Sequence, residues 1–158
     1  MPVQPFAGSR NWGYDGVDWF AVQHSYGGPE GLKRLVDAAH AEGIAVILDV
    51  VYNHFGPEGN YNPLFGPYTT HGRTGWGDVV NISGPGSDEV RAYILDSVRQ
   101  WLSEFHIDGL RLDAVHAYDD RRAYSLMEEI RRVADEVADE TRVPRTIIGE
   151  TDQNDPRI

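Results

Sequence analysis

Three short stretches hold the polar groups with a capacity for chemistry: DVVYNH at 49–54, GLRLDAVHA at 109–117 and GE at 149–150. In the second, Arg111 and Asp113 lie two positions apart, so on a strand both side chains leave the same face. A cation and an anion on one face of an otherwise apolar strand are a poor choice for a core. A neighbouring guanidinium favours the ionised form of Asp113, which suits a nucleophile. Glu150 follows the apolar run TIIG, and burial there would favour the protonated form, which suits a general acid. Two carboxyl groups held in opposite protonation states are what glycoside hydrolysis requires, at a separation of roughly 5–5.5 Å in a retaining mechanism. Neighbouring strands lie ~4.8 Å apart, so side chains from adjacent strand ends can reach that separation. His54 is placed to donate to a sugar hydroxyl. Each residue alone has a plainer explanation: a strand-end Asp caps a turn, a lone His sits on the surface, and Arg111 with Asp113 forms a structural ion pair. Their joint placement is what argues for a site.

That placement depends on the elements around them. GVDWFAV at 16–22 reads as a strand. A helix follows within GGPEGLKRLVDAAHAEG, with Pro29 at its first turn, Leu32, Leu35, Val36 and Ala39 on one face and Gly43 as its C-cap. IAVILDVV at 44–51 is a nearly continuous apolar run, typical of a parallel strand covered on both faces. Ser87 is expected to cap a helix with Asp88 and Glu89 in its first turn and Val90, Tyr93, Ile94, Val98, Trp101, Leu102 and Phe105 facing in. IDGLRLD at 107–113 is a strand. Residues 120–139 are expected to be helical, with Met127, Ile130, Val133, Ala134 and Val137 inward, and RTIIGE at 145–150 is the last strand. The order β-α-β-loop-α-β-α-β predicts a parallel α/β sheet with right-handed crossovers. In such folds chemistry gathers at the carboxyl ends of the strands. Asp49 with Asn53 and His54, Arg111 with Asp113, and Glu150 then fall on one rim.

The segment from Tyr52 to Gly86 is too long for an ordinary connection. It carries Phe55, Tyr61, Phe65, Tyr68 and Trp76 among Gly and Pro. It reads either as a substrate-side loop with rings for sugar stacking or as a small satellite core.

Composition bounds the alternatives. With 158 residues, 41% hydrophobic and 25% charged, the chain is long enough for a core and reads as globular. A net charge of -11 argues against nucleic acid as a partner. The absence of cysteine excludes disulfides and thiolate metal sites and favours the cytoplasm. No apolar run approaches the ~18 residues of a membrane span and no signal peptide opens the sequence, so no membrane partner is expected. No cofactor and no metal site are expected. Oligomeric state is not readable.

DVVYNH, GLRLDAVHA and GE, in this order and strand context, resemble three motifs of the α-amylase superfamily of glycoside hydrolases. The resemblance makes Asp113 the nucleophile, Glu150 the acid/base, Arg111 the residue that orients the nucleophile and His54 a sugar contact, with Tyr14 and His116 also on the substrate side. Asp49 and Asn53 would organise the strand end. Longer segments narrow the resemblance: 51–68, 74–91, 105–120 and GETDQNDPR at 149–157 are similar to members that cut the α-1,4 bond next to a terminal trehalose unit with retention. WGYDGVDWFAVQHSYGGPEGLKRLVDAAH fits these and the glucan branching enzymes. A maltooligosaccharide-type substrate is implied. Two departures stand out: His116 and Ala117 occupy the place where typical amylases carry Lys-His, and no amylase-like set of calcium ligands is evident. The resemblance implies a partial (β/α)8 TIM barrel, about strands 2 to 5 with the end of strand 1. Residues 1–158 would be one incomplete catalytic barrel domain with 52–86 as its substrate-side loop, and a third carboxylate would lie on a later strand. The inward sheet face and both sheet edges are then expected to lack partners, and the chain alone to be inactive. A branching enzyme, using the same two carboxylates for transfer, and a non-catalytic α/β binding module are the competing expectations.

Overall fold

A computed structural model describes residues 1–154. Its centre is a parallel sheet of three strands, β1 (Ile47–Val50), β5 (Gly109–Leu112) and β6 (Thr146–Gly149), in the order β1-β5-β6. Helices α1 (Gly28–Ala41), α2 (Ser87–Ser103) and α3 (Leu126–Thr141) connect and cover it. A second, antiparallel sheet is formed inside the long loop by β2 (His54–Phe55), β3 (Thr69–Arg73) and β4 (Asp78–Val80), in the order β2-β4-β3. The described residues form these two sheets and no closed barrel. None of their helices is long and apolar enough to cross a membrane.

Register fixes which side chains share a face. Asp49 pairs with Arg111, and Arg111 with Ile148. Leu48, Leu110 and Ile147 form the next row and therefore face the opposite way. The leucine side packs on α2 and α3, where Ile94, Val98, Trp101, Leu102, Ile130, Ala134 and Val137 join Leu110 and Leu112 in one buried cluster. The other face carries the charges. There Ile47 and Ile148, on the two edge strands of this sheet, are 49% and 42% exposed.

The structure differs from the sequence reading at several elements. Residues 16–22 form no strand. Trp19 and Val22 are buried as their pattern suggested, but the backbone is satisfied by side chains instead of a ladder. Ser97 donates to the Trp19 carbonyl, Gln100 to that of Phe20 and Asn62 to that of Val17, while Asp18 accepts from the Phe20 amide. In α1, Leu32 and Val36 are buried and Leu35 is exposed; the helix buries one narrow stripe and Leu35 lies on its flank. Ser87 is the buried first residue of α2, not its cap; Gly86, at φ 74, turns the chain into the helix. α3 begins at Leu126 rather than near 120, because Asp120 is engaged by Arg91 and by the Leu126 amide, and Ser125 with Glu128 forms a capping box.

The long loop divides its aromatics between the two readings. Phe55 is buried and stacks on Trp19 at 4.3 Å, and Tyr68 meets Tyr93 edge-on. Tyr61, Phe65 and Trp76 are exposed.

Candidate active site

The charged sheet face ends in a network centred on Arg111. Its Nη1 donates to Asp49 Oδ1 and to Asp113 Oδ1, each at 2.8 Å. Its Nη2 lies 3.5 Å from Glu150 Oε2. One guanidinium thus meets carboxylates from three adjacent strand ends. Burial alone would lower the pKa of Arg111, but Asp49 and Asp113 outweigh it and hold the arginine above its ordinary value. Asp113 is held again from behind, where the Asn53 amide donates to its backbone carbonyl at 3.0 Å and to Oδ2 at 3.1 Å.

Parallel continuation of the strands sets these positions. The Asp113 amide donates to the Val50 carbonyl and the Glu150 amide to that of Leu112, so both carboxylates continue their strands in register with a neighbour. Past Asp113 the chain turns through Ala114 at φ 46, and the Ala114 amide donates to Glu150 Oε2 at 2.8 Å. Sequence reasoning missed this contact, since it depends on a left-handed residue and on cross-strand register. The expected burial of Glu150 is corrected. Its side chain is 39% exposed, because β6 is an edge strand with Ile148 and Gly149 exposed.

The remaining candidates fall in the same place. Tyr14 OH donates to Asp49 Oδ2 at 2.7 Å, and burial, then the contact with Asp49, pushes the phenol up to about 12. The His54 ring is buried, with Nδ1 at 2.5 Å from Asn53 Oδ1 and Nε2 at 2.9 Å from the Tyr14 carbonyl. Contact with a sugar hydroxyl would have to replace one of these. His116 Nε2 lies 3.5 Å from Asp152 Oδ1, and its Nδ1 is buried with no protein partner. A cleft of about 690 Å³ runs over the group, lined by Tyr14, Asn53, His54, Asp113, His116 and Glu150. Trp12 and Trp76, both exposed, stand on its walls with Asn11 and Asp15. Trp12, two residues before Tyr14, is a wall residue the sequence reading passed over. The 11–15 segment is seated by Gly56, where a Cβ would come within 2.1 Å of the Asp15 carbonyl. Among the described residues, no group of three or more His, Asp or Glu side chains is placed to hold a metal ion.

Asp113 and Glu150, on neighbouring parallel strand ends, line the same open cleft and share Arg111, and such a pair can do acid/base and nucleophilic work. Comparison with known proteins bears on the class. Residues 3–63 match the family described as "Alpha amylase, catalytic domain". The chain is 57% identical over its whole length to the malto-oligosyltrehalose trehalohydrolase of Rhizobium sp. (strain M-11) and spans 27% of that protein. It is 35% identical, over 73% of its length, to 18% of the 1,4-alpha-glucan branching enzyme of Clostridium perfringens. A solved Salmonella typhimurium structure assigned as an α-amylase covers 98% of the chain with TM-score 0.79 and 42% identity, the match taking in 26% of that structure. Over its whole length the chain is thus similar to proteins of the α-amylase family of glycoside hydrolases, and its first part matches that family's catalytic domain.

The distinctive segments of the trehalose-releasing members lie largely inside the described residues. Residues 155–157 of the GETDQNDPR stretch lie outside them.

Proposed function

We propose that the chain supplies the nucleophile and the acid/base of a retaining α-glycosidase that hydrolyses maltooligosyl trehalose and releases trehalose. Asp113 attacks the anomeric carbon, Glu150 protonates the leaving oxygen and then activates water, and Arg111 holds Asp113 aimed. The observation that carries this is Arg111 Nη1 on Asp113 at 2.8 Å with Nη2 reaching Glu150 at 3.5 Å, both carboxylates lining the cleft. Asp49 and Asn53 keep this pair in place, Tyr14 and His116 line the sugar side, and His54 serves chiefly by holding Asn53 and the Tyr14 backbone. The three parallel strands are taken as part of a (β/α)8 barrel, within the span of strands 2 to 5, with the strand 1 end in the segment before residue 16. The cleft is the place for a maltooligosaccharide chain. Preference for trehalose release over branching rests on the 57% against 35% identity.

The test is a chimera in which this chain replaces the matching segment of the Rhizobium trehalohydrolase. It should release trehalose from maltooligosyl trehalose. Asp113→Asn and Glu150→Gln should each reduce kcat by ~10³-fold or more while the chimera stays folded. A folded Asp113→Asn chimera as active as its parent would refute the assignment. New α-1,6 branches in place of free trehalose would establish the branching reading.

A further inference from the structure

His54 faces two hydrogen-bond acceptors. Tyr14 presents a backbone carbonyl to Nε2 at 2.9 Å, and a carbonyl accepts only. On the other side stands Asn53 Oδ1, 2.5 Å from Nδ1. The orientation of that amide is fixed independently. Asn53 Nδ2 lies 3.0 Å from the Asp113 carbonyl and 3.1 Å from Asp113 Oδ2. Turning the amide over would put its oxygen against both of these. Protonating Asp113 would not remove the conflict, because its backbone carbonyl remains an acceptor. A neutral imidazole has one N–H and one lone pair, so it would set a lone pair against an oxygen at one of these two contacts. Only the doubly protonated ring satisfies both.

We infer that His54 is a positioning residue held as an imidazolium, whose charge and two N–H groups lock the Asn53 amide onto Asp113. The surrounding charges agree in sign. Burial is the largest influence and on balance holds the ring below its ordinary 6.5, while the Tyr14 carbonyl, Asp113 and Asp15 favour the cation. From the β4 side the ring edge meets Gly77, and the neighbouring Asp78 is paired with Arg73 at 3.2 Å. No cation among the described residues is hydrogen-bonded or ion-paired to the ring. Burial favours the neutral form, but a neutral ring would set a lone pair against an oxygen at a contact of 2.9 Å or less on one side; the two acceptors decide for the second proton. Asp113 then has a cation on either side: Arg111 directly, and His54 through one amide.

Nitrogen-15 NMR of the histidine-labelled chain tests this directly and needs no substrate. The His54 ring is assigned by through-bond correlation from its own backbone, so no variant has to fold. At about pH 7.5, where an ordinary histidine is mostly neutral, both His54 nitrogens should show the protonated, imidazolium shift, with the titration midpoint at higher pH. Asn53→Ala, which removes one acceptor, should lower that midpoint, a response a merely space-filling ring would not give. A pyridine-type nitrogen on His54 at neutral pH in the parent chain would overturn the inference, whatever the fate of the catalytic reading.

Discussion

Arg111→Met separates a structural core charge from surface decoration. Methionine keeps much of the apolar stem and removes the guanidinium. Two contacts of 2.8 Å, to Asp49 and Asp113, disappear, and so does the 3.5 Å approach to Glu150. The stranded carboxylates are poorly placed to recover water: the Asp49 and Asp113 side chains are 12% and 17% exposed. Removing one partner of a buried pair costs about 3–5 kcal/mol. Arg111 itself is 29% exposed, and solvent screening brings the expectation down to roughly 2–4 kcal/mol. Arg99 provides the contrast. It bridges Glu136 and Glu140 at 2.6 and 3.1 Å, but all three side chains are 38–58% exposed, so Arg99→Met should cost about 0–1 kcal/mol. Urea denaturation reads both. With a slope near ~2 kcal/mol per molar, Arg111→Met should lower the midpoint by about 1–2 M and Arg99→Met by less than about half a molar. Adding Asp49→Asn to Arg111→Met should restore part of the loss, because one stranded charge is gone. Equal shifts for the two arginines, or no recovery in the double variant, would refute the view that Arg111 balances charges the fold has desolvated.

Two further outcomes follow from other parts of the structure. Gly56→Ala places a methyl within 2.1 Å of the Asp15 carbonyl, whereas Gly75→Ala meets nothing within 4 Å; the first should destabilise by about 1–3 kcal/mol and the second by little, and equal urea midpoints would contradict the close packing of 11–16 on Gly56. Asp108 is pushed up by burial but held net below its ordinary 3.8 by the Val46 amide, His40 and Arg145. A carboxylate with a depressed folded value contributes stability above the unfolded value and loses it as pH falls through the folded one, so Asp108→Asn should flatten the acid limb of a stability–pH curve below about pH 4, and an equally steep limb would rule that contribution out.

Much of the site was legible because it follows from short-range rules. Arg111 and Asp113 share a face by strand alternation, and apolar runs located β1, β5 and β6 well enough to put Asp49, Asp113 and Glu150 on one rim. Helical period located α2 and α3, and their inward residues are those that pack on Leu110 and Leu112. Where the reading failed, a side chain had taken over a backbone's work. Ser97, Gln100 and Asn62, with the local Asp18, satisfy 17–20 without a strand, and no local pattern announces the three partners 45 to 80 residues away. Glu150 shows a second limit. An apolar run before it predicts burial only if the strand is covered on both faces, and β6 is an edge.

His54 shows the deepest limit, because its role turns on hydrogen-bond polarity. DVVYNH places Asn53 and His54 next to each other, but which atoms they offer one another depends on Asp113 taking the Asn53 amide from sixty residues further on. Once that amide is fixed, the orientation of its oxygen follows, and with it the demand for a second proton on the imidazole. The charge state of the strand end is therefore a property of the cross-strand register. A shift of β5 against β1 by one residue would take Arg111 and Asp113 to the opposite face, and with them would go both the guanidinium contact of Asp49 and the reason for a cation at position 54.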